Sequence, residues 1–354
     1  MSIGKTFSFS PVCDEEGNRY VPAGALHYDG VVMRCRAVKE TAGGRSKESC
    51  LLESFRPKAF SPHSPGVQTN GRTPFFGHDT GLGSIFRAAQ NDYLQRISMR
   101  SAVNQAFRTE RSRPFVLTFR SCKEPRGTLV IETGYGETVR DFAEKRHPVP
   151  PSAPYVLQCL DIVHEMTEAM QTLKRDWLLM CCTPDTVFIP ADGGPVQLTD
   201  AAFLLPRSAI SAQAFSPAAE WWLPTEGVVY PPLLEALVRR AVQSQRPSCL
   251  LALLESAGLY SISQLLCYLL FLKTWTLDAE TLSIRFPSVG VFQNGTVRED
   301  MEALVSCGLG LRGSAHGQEA FMLFSRRLTN MKGILEKAVI ASSSESVFRS
   351  CFSI

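Results

Sequence analysis

The eleven cysteines and six histidines of this 354-residue chain include no C-x-x-C pair and no H-x-x-x-H pair. Those are the spacings that gather thiolates and imidazoles around a structural zinc, so a metal site is not expected. There is also little charge of either sign in excess. A formal net charge of +3 is too small to argue for nucleic acid. No run of apolar residues is long enough to cross a bilayer, which takes about 20. The most apolar stretch, 259–275, is interrupted by Ser261, Ser263 and Gln264 and reads instead as a helix buried in a core. Internal repeats are absent. The opening MSIGKTFSFSP lacks the apolar core of a signal peptide, so an exported protein would owe its leader to sequence outside this chain.

What is present describes a globular protein large enough for two lobes: 44% hydrophobic and 20% charged residues. The charge is unevenly placed. Residues 1–150 hold 22 Lys+Arg against 15 Asp+Glu, a surplus of +7, and the remainder is at −4. A basic face of this kind is either simply solvated or meets an acidic partner or a membrane surface. The dispersed cysteines are either buried free thiols or, in an exported protein, a few disulfides with at least one thiol left over. One sequon, Asn294-Gly295-Thr296, is available for glycosylation.

Along the chain, alternating stretches in the first 40 residues read as strands, and SKESCLLESF (46–55) as a short helix. Residues 57–83 are rich in Pro, Gly and polar residues and read as a long inserted loop, either a docking segment or unstructured. A helix is expected over 84–107. Two strands follow, then a stiff connector, HPVPPSAP. A long helix comes next, with Leu157, Leu160, Val163, Met166, Met170 and Leu173 on one stripe. Then TVFI and VQL flank the turn PADGG as a short hairpin, and the rest is mostly helical.

This order, with its motifs, resembles a bilobal protein kinase: α+β, with a β-rich N-lobe over 1–132 and a hinge and mainly helical C-lobe over 133–354. CRAVKE resembles the third N-lobe strand, with Lys39 in the place of the lysine that holds ATP phosphates. Glu132 stands at the start of the hinge. No glycine-rich phosphate loop precedes Lys39. Its acidic partner is Glu48 or Glu53 if 46–55 is the regulatory helix; if 84–107 is that helix, Gln90 or Asp92 stands in the region.

The catalytic loop H-R-D-L-K-P-x-N is matched by Leu179-Met180-Cys181-Cys182-Thr183-Pro184-Asp185-Thr186. Cys181 replaces the proton-accepting Asp, Thr183 the phosphate-assisting Lys and Thr186 the metal-binding Asn. LTDAA stands for the D-F-G region, keeping Asp200 but giving Ala201 and Ala202. A thiol with a pKa near 8.5 is a poor base, and a threonine hydroxyl is a weak ligand for a hard cation. The expectation is a pseudokinase without a resident cofactor or metal. Lys39 and Asp200 are either vestigial nucleotide-site residues or, respectively, a strand-end lysine and a turn acid. SPAAEWW resembles the end of an activation segment, with Glu220 as its structural acid; Trp221 and Trp222 pack in the core or mark a partner site. Gly258 takes the place of the Asp that braces the catalytic loop.

Among kinases, the resemblance is to the secreted rhoptry and dense-granule kinase-like family of apicomplexan parasites, in its subgroup without a glycine loop. It implies a secreted protein of the parasitophorous vacuole or cyst wall that acts through protein partners. The alternative is an atypical active kinase using Lys39 and Asp200.

Overall fold

The computed structural model describes residues 10–28, 32–41, 44–55, 118–121, 128–132, 135–173, 175–179, 182–198, 204–207, 247–273, 286, 290–308 and 318–352. The chain divides into two compact units, 1–138 with 185–225, and 139–184 with 226–354. The first unit therefore runs past 132 to Thr138 and takes in a later segment, because the strands on either side of that boundary pair with each other. The loop 57–83 and the helix expected over 84–107 lie outside the described residues.

The first unit is built on a six-stranded sheet in the order β1-β2-β3-β4-β6-β5. Its strands are β1 (Val12–Cys13), β2 (Arg19–Tyr28), β3 (Val32–Thr41), β4 (Gly44–Phe55), β5 (Thr118–Ser121) and β6 (Thr128–Glu132). All the pairings are antiparallel. Side chains alternate across a strand, so the register assigns each residue to a face. Val12, Tyr20, Ala37, Cys50, Leu52 and Val130 form one core cluster, and Leu51 with Ile131 forms another. In chain order the two sets interleave, which puts them on opposite faces of the sheet. Residues 46–55 are thus part of a strand and not a helix. A strand buried on both faces shows a continuous apolar run, Cys50-Leu51-Leu52, that periodicity alone does not separate from a helix.

The hinge-side segment continues into β7 (Gly136–Thr138), which pairs with β9 (Val187–Pro190), which in turn pairs with β10 (Gln197–Leu198). The hairpin expected around PADGG is present, and Gly193 takes the positive φ that its turn requires (75°). β11 (Leu204–Pro206) completes the described strands of this unit.

The second unit contains α1 (Val139–Arg146), α2 (Ala153–Leu173), β8 (Trp177–Leu179), α3 (Pro247–Phe271), α4 (Gly295–Gly308) and α5 (Gln318–Phe352). The stripe on α2 is buried from Leu160 to Leu173, with Val156 rather than Leu157 at its N-terminal end. α3 contains the most apolar stretch of the chain, and every residue from Leu259 to Leu270 is buried. No helix among the described residues is long and apolar enough to cross a membrane.

One acidic side chain organises the turn between β1 and β2. Asp14 Oδ1 accepts from the amides of Glu16 and Asn18 (2.9 Å each), and Oδ2 from Asn18 Nδ2 (2.8 Å) and Tyr20 Oη (2.9 Å). Partial burial pushes the Asp14 carboxyl up, but these hydrogen bonds outweigh it and hold it well below the usual carboxylate range. A lowered folded-state pKa adds stability above the unfolded value of about 3.9, and that stability is lost as pH falls toward the folded value. Asp14→Asn, whose amide nitrogen cannot accept from Tyr20, should lower stability at pH 7. It should also flatten the fall in urea midpoint between about pH 5 and pH 2. An unchanged slope would show that Asp14 is not the group responsible.

Candidate functional site

The expected site residues fall in both units. In the first, Lys39 lies on β3 at the point where the register with β4 breaks, between Val38 and Glu40. It is opposite Tyr20 and shares a face with Ala37 and Cys35. β3 is the second of the three long strands of the meander; the third, paired with the strand that ends at Glu132, is β4. Lys39 is therefore not on the strand where the motif placed it, and it sits on the opposite face from Leu51 and Ile131. Glu48 and Glu53, considered as its helical partners, both belong to strand β4. Gln90 and Asp92 lie outside the described residues.

The position on β4 that carries charge into the sheet belongs to Glu53. It faces Arg34 across the ladder, and Arg34 Nε donates to Glu53 Oε2 at 3.0 Å. The side chains are 2% and 0% exposed, respectively. Two buried ions require such a bond, because an unpaired charge at that depth costs several kcal/mol. The pairing with Arg34 is not legible in sequence, where Glu53 reads as a candidate partner of Lys39 and stands far from Arg34. Their register is the only signal, and it becomes visible only with the fold.

The second unit carries the degenerate catalytic loop. Met180 and Cys181 lie outside the described residues, as do Asp200, Ala201, Ala202, Glu220, Trp221 and Trp222. Cys182 and Thr183 are buried, and Thr186, which belongs to the first unit, is buried as well. The one carboxylate between Leu179 and Pro190 is Asp185, which follows Pro184 instead of preceding it as a catalytic base would. Among the described residues no group of three or more His, Cys, Asp or Glu is arranged to hold a metal.

The loop is held in place by α3. Gly258 is packed so closely that a Cβ there would overlap the carbonyl oxygen of Leu179 and come within 2.8 Å of Met170 Cε. The missing aspartate is not a missing brace. One turn further along, Ser261 Oγ accepts the Cys182 amide at 3.1 Å and donates to the Gly258 carbonyl at 2.8 Å. A neutral hydroxyl thus fixes the loop backbone where a carboxylate was expected to. Cys182 Sγ lies 3.5 Å from the same hydroxyl. Burial pushes this thiol up to about 12, with the Ser261 contact opposing, so it stays protonated and unreactive at neutral pH. Cys159 on α2 is likewise pushed up to about 12 by burial. Cys13, Cys35, Cys50, Cys159, Cys182, Cys267 and Cys307 are free thiols. Disulfides are therefore not formed among them.

No family model matches the sequence, and no curated protein matches it either. Solved structures do match. A rhoptry kinase from Toxoplasma gondii aligns with a TM-score of 0.52 over 96% of this chain and 88% of its own, at 12% identity. The kinase domain of a Toxoplasma gondii specific rhoptry antigen aligns with a TM-score of 0.50 over 94% and 87%, again at 12% identity. The chain has a protein-kinase-like fold. Its sheet-rich first part and helical second part fit the expected order of elements, and at this identity the likeness concerns fold alone.

The kinase-like fold makes the two replacements testable. Glu53→Leu or Arg34→Met alone should cost about 3–5 kcal/mol by stranding a buried charge, while the double variant should recover most of the loss. Equal losses from the double and single variants would show that the pair is not coupled. Ser261→Ala should cost about 1–3 kcal/mol by leaving the Cys182 amide unsatisfied. Restoring the kinase residue with Gly258→Asp should destabilise by roughly the same amount or more, through overpacking against Leu179. A stable Gly258→Asp protein in urea melts would contradict the packing described.

Proposed function

We propose that this protein is a catalytically inactive kinase-fold protein that works as a scaffold or regulator through protein partners. The observation that carries the reading is the loop itself. Thr186, standing where the second metal ligand is expected, is buried, as are Cys182 and Thr183 beside the position of the missing base. Phosphoryl transfer depends almost entirely on positioned charge and metal. Of the described loop residues only Asp185 carries a charge, and it follows Pro184 instead of standing where the base would. Lys39 also stands on a different strand from the one the phosphate contact calls for, and on that third long strand Glu53 is committed to Arg34 of β3. The described loop residues thus do not fit Mg-ATP.

The likeness to two rhoptry kinase structures supports export as the second part of the reading. We infer further that the protein belongs with the glycine-loop-less subgroup that includes the bradyzoite pseudokinase and acts at the parasitophorous vacuole or cyst wall, a reading the absence of a glycine-rich loop before Lys39 supports. The competing reading, an atypical active kinase, needs Lys39 and Asp200 to bind metal-nucleotide together.

A thermal-melt series with millimolar ATP, with and without Mg²⁺ or Mn²⁺, separates the two. A ligand present at about 100 times its Kd adds roughly 2.7 kcal/mol and is readily seen. The inactive reading expects no metal-dependent shift and no transfer of labelled phosphate. A shift that needs metal and disappears in Lys39→Ala, accompanied by transfer lost in Asp200→Ala, would overturn it.

A further inference from the structure

The sequon Asn294-Gly295-Thr296 is the only one in the chain, and the fold gives it a specific setting. A short 3-10 turn over Gly290–Gln293 leads into α4, which starts at Gly295. Asn294 is the N-cap of that helix. Its Oδ1 accepts from the amides of Thr296 (3.0 Å) and Val297 (3.3 Å), and its carbonyl oxygen accepts from the Arg298 amide (3.0 Å). The side-chain hydrogen bonds described for Asn294 all run through the amide oxygen. All three residues of the sequon are exposed, and a Cβ built on Gly295 would meet nothing within 4 Å. The two ends of one side-chain amide are thus divided: oxygen to the helix, nitrogen away from it.

We propose that Asn294 is an N-glycosylation acceptor whose glycan is carried without undoing the helix cap. The transfer is a substitution at the sugar. A bond forms between Nδ2 and C1 of an oligosaccharide, the C1–O bond to a lipid-linked pyrophosphate donor breaks, and Nδ2 gives up one proton. Nothing is oxidised or reduced. The product is still an amide, and its oxygen keeps both lone pairs for the Thr296 and Val297 N–H groups. Thr296 supplies the hydroxyl residue that the sequon requires, and its capped N–H belongs to the backbone. Modification and helix initiation therefore draw on different atoms. Biological use of the acceptor rests on the exported reading given above; acceptor competence does not.

The test is expression of the full chain behind an added secretion leader in a eukaryotic host, with intact mass measured before and after peptide N-glycosidase F. Added mass removed by that enzyme is expected, and it should vanish in Asn294→Asp and in Thr296→Ala. Aspartate caps a helix as well as asparagine does, and Thr296→Ala leaves the Asn cap in place. Both variants should therefore melt close to the deglycosylated parent. Secreted, folded protein with no glycan at Asn294 would overturn the proposal. So would glycosylated protein whose α4 amides at Thr296 and Val297 have lost their hydrogen-exchange protection. The same mass measurement on protein from its own cells separates the two readings. A bare Asn294 there, beside an occupied one on the leader-driven chain, sinks export and leaves the acceptor assignment standing.

Discussion

The second unit depends on one constraint: α3 is apolar nearly all round and must be covered on every side. Each fully buried aliphatic or aromatic side chain is worth about 1.5–3 kcal/mol, and α3 places an unbroken buried run between Leu259 and Leu270. Its few polar groups are satisfied without leaving the core. Ser263 Oγ donates back to the Leu259 carbonyl, and Gln264 Nε2 donates to Tyr260 Oη. Neighbours then attach to its C-terminal end through directed bonds. Tyr155 Oη of α2 donates to the Leu269 carbonyl, His147 Nε2 lies 2.8 Å from the Leu270 carbonyl, and Arg140 of α1 donates to Tyr268 Oη. At the other surface, Gly308 of α4 packs with no room for a side chain against Ser263. On α2, Asp161 is tied to α5 through Lys332 at 2.6 Å.

Against such a helix, the segment after β8 has little freedom. Gly258 permits close approach, and Ser261 turns that approach into a defined hydrogen bond to Cys182. Glycine supplies proximity by removing a side chain; serine supplies direction by adding a short one. Together they hold the loop backbone without a buried carboxylate, which would need several donors to compensate for its desolvation. Holding the loop and doing chemistry with it are thus separable. With glycine in place of the bracing aspartate, the brace passes to Ser261.

Much of this architecture is legible in the sequence because it rests on periodicity. The α2 stripe, the buried character of 259–270 and the hairpin around PADGG follow from local pattern, and the structure has each of them. What escaped was non-local. Residues 46–55 mix charged and apolar residues in a way that suits a short helix, and only the pairing of β4 with both β3 and β6 explains why Leu51 and Leu52 are buried on opposite faces. Arg34 and Glu53 look like surface charges until the register sets them opposite each other. Lys39 was placed by motif resemblance, which counts residues along a chain; the meander added a strand between it and β6. Ser261 reads in sequence only as a polar interruption of the apolar stretch 259–275, because its role depends on a main-chain amide that no sequence pattern displays.

The chemical character of the loop follows from the same packing. A catalytic base must meet substrate, so its carboxylate has to reach solvent or a polar cleft, and the loop bearing it cannot sink completely into a core. Replace the ionisable groups by thiols and hydroxyls, and that restriction disappears. Cys182 is held neutral by burial, with its pKa pushed up to about 12, and Thr183 and Thr186 have no charge to desolvate. Deep burial then costs little and adds packing. In the first unit, by contrast, the buried ions remain but as a matched pair, Arg34 with Glu53, whose charges are committed to each other. In both units, buried polar groups face the protein: Ser261 the Cys182 amide, and Arg34 its partner Glu53.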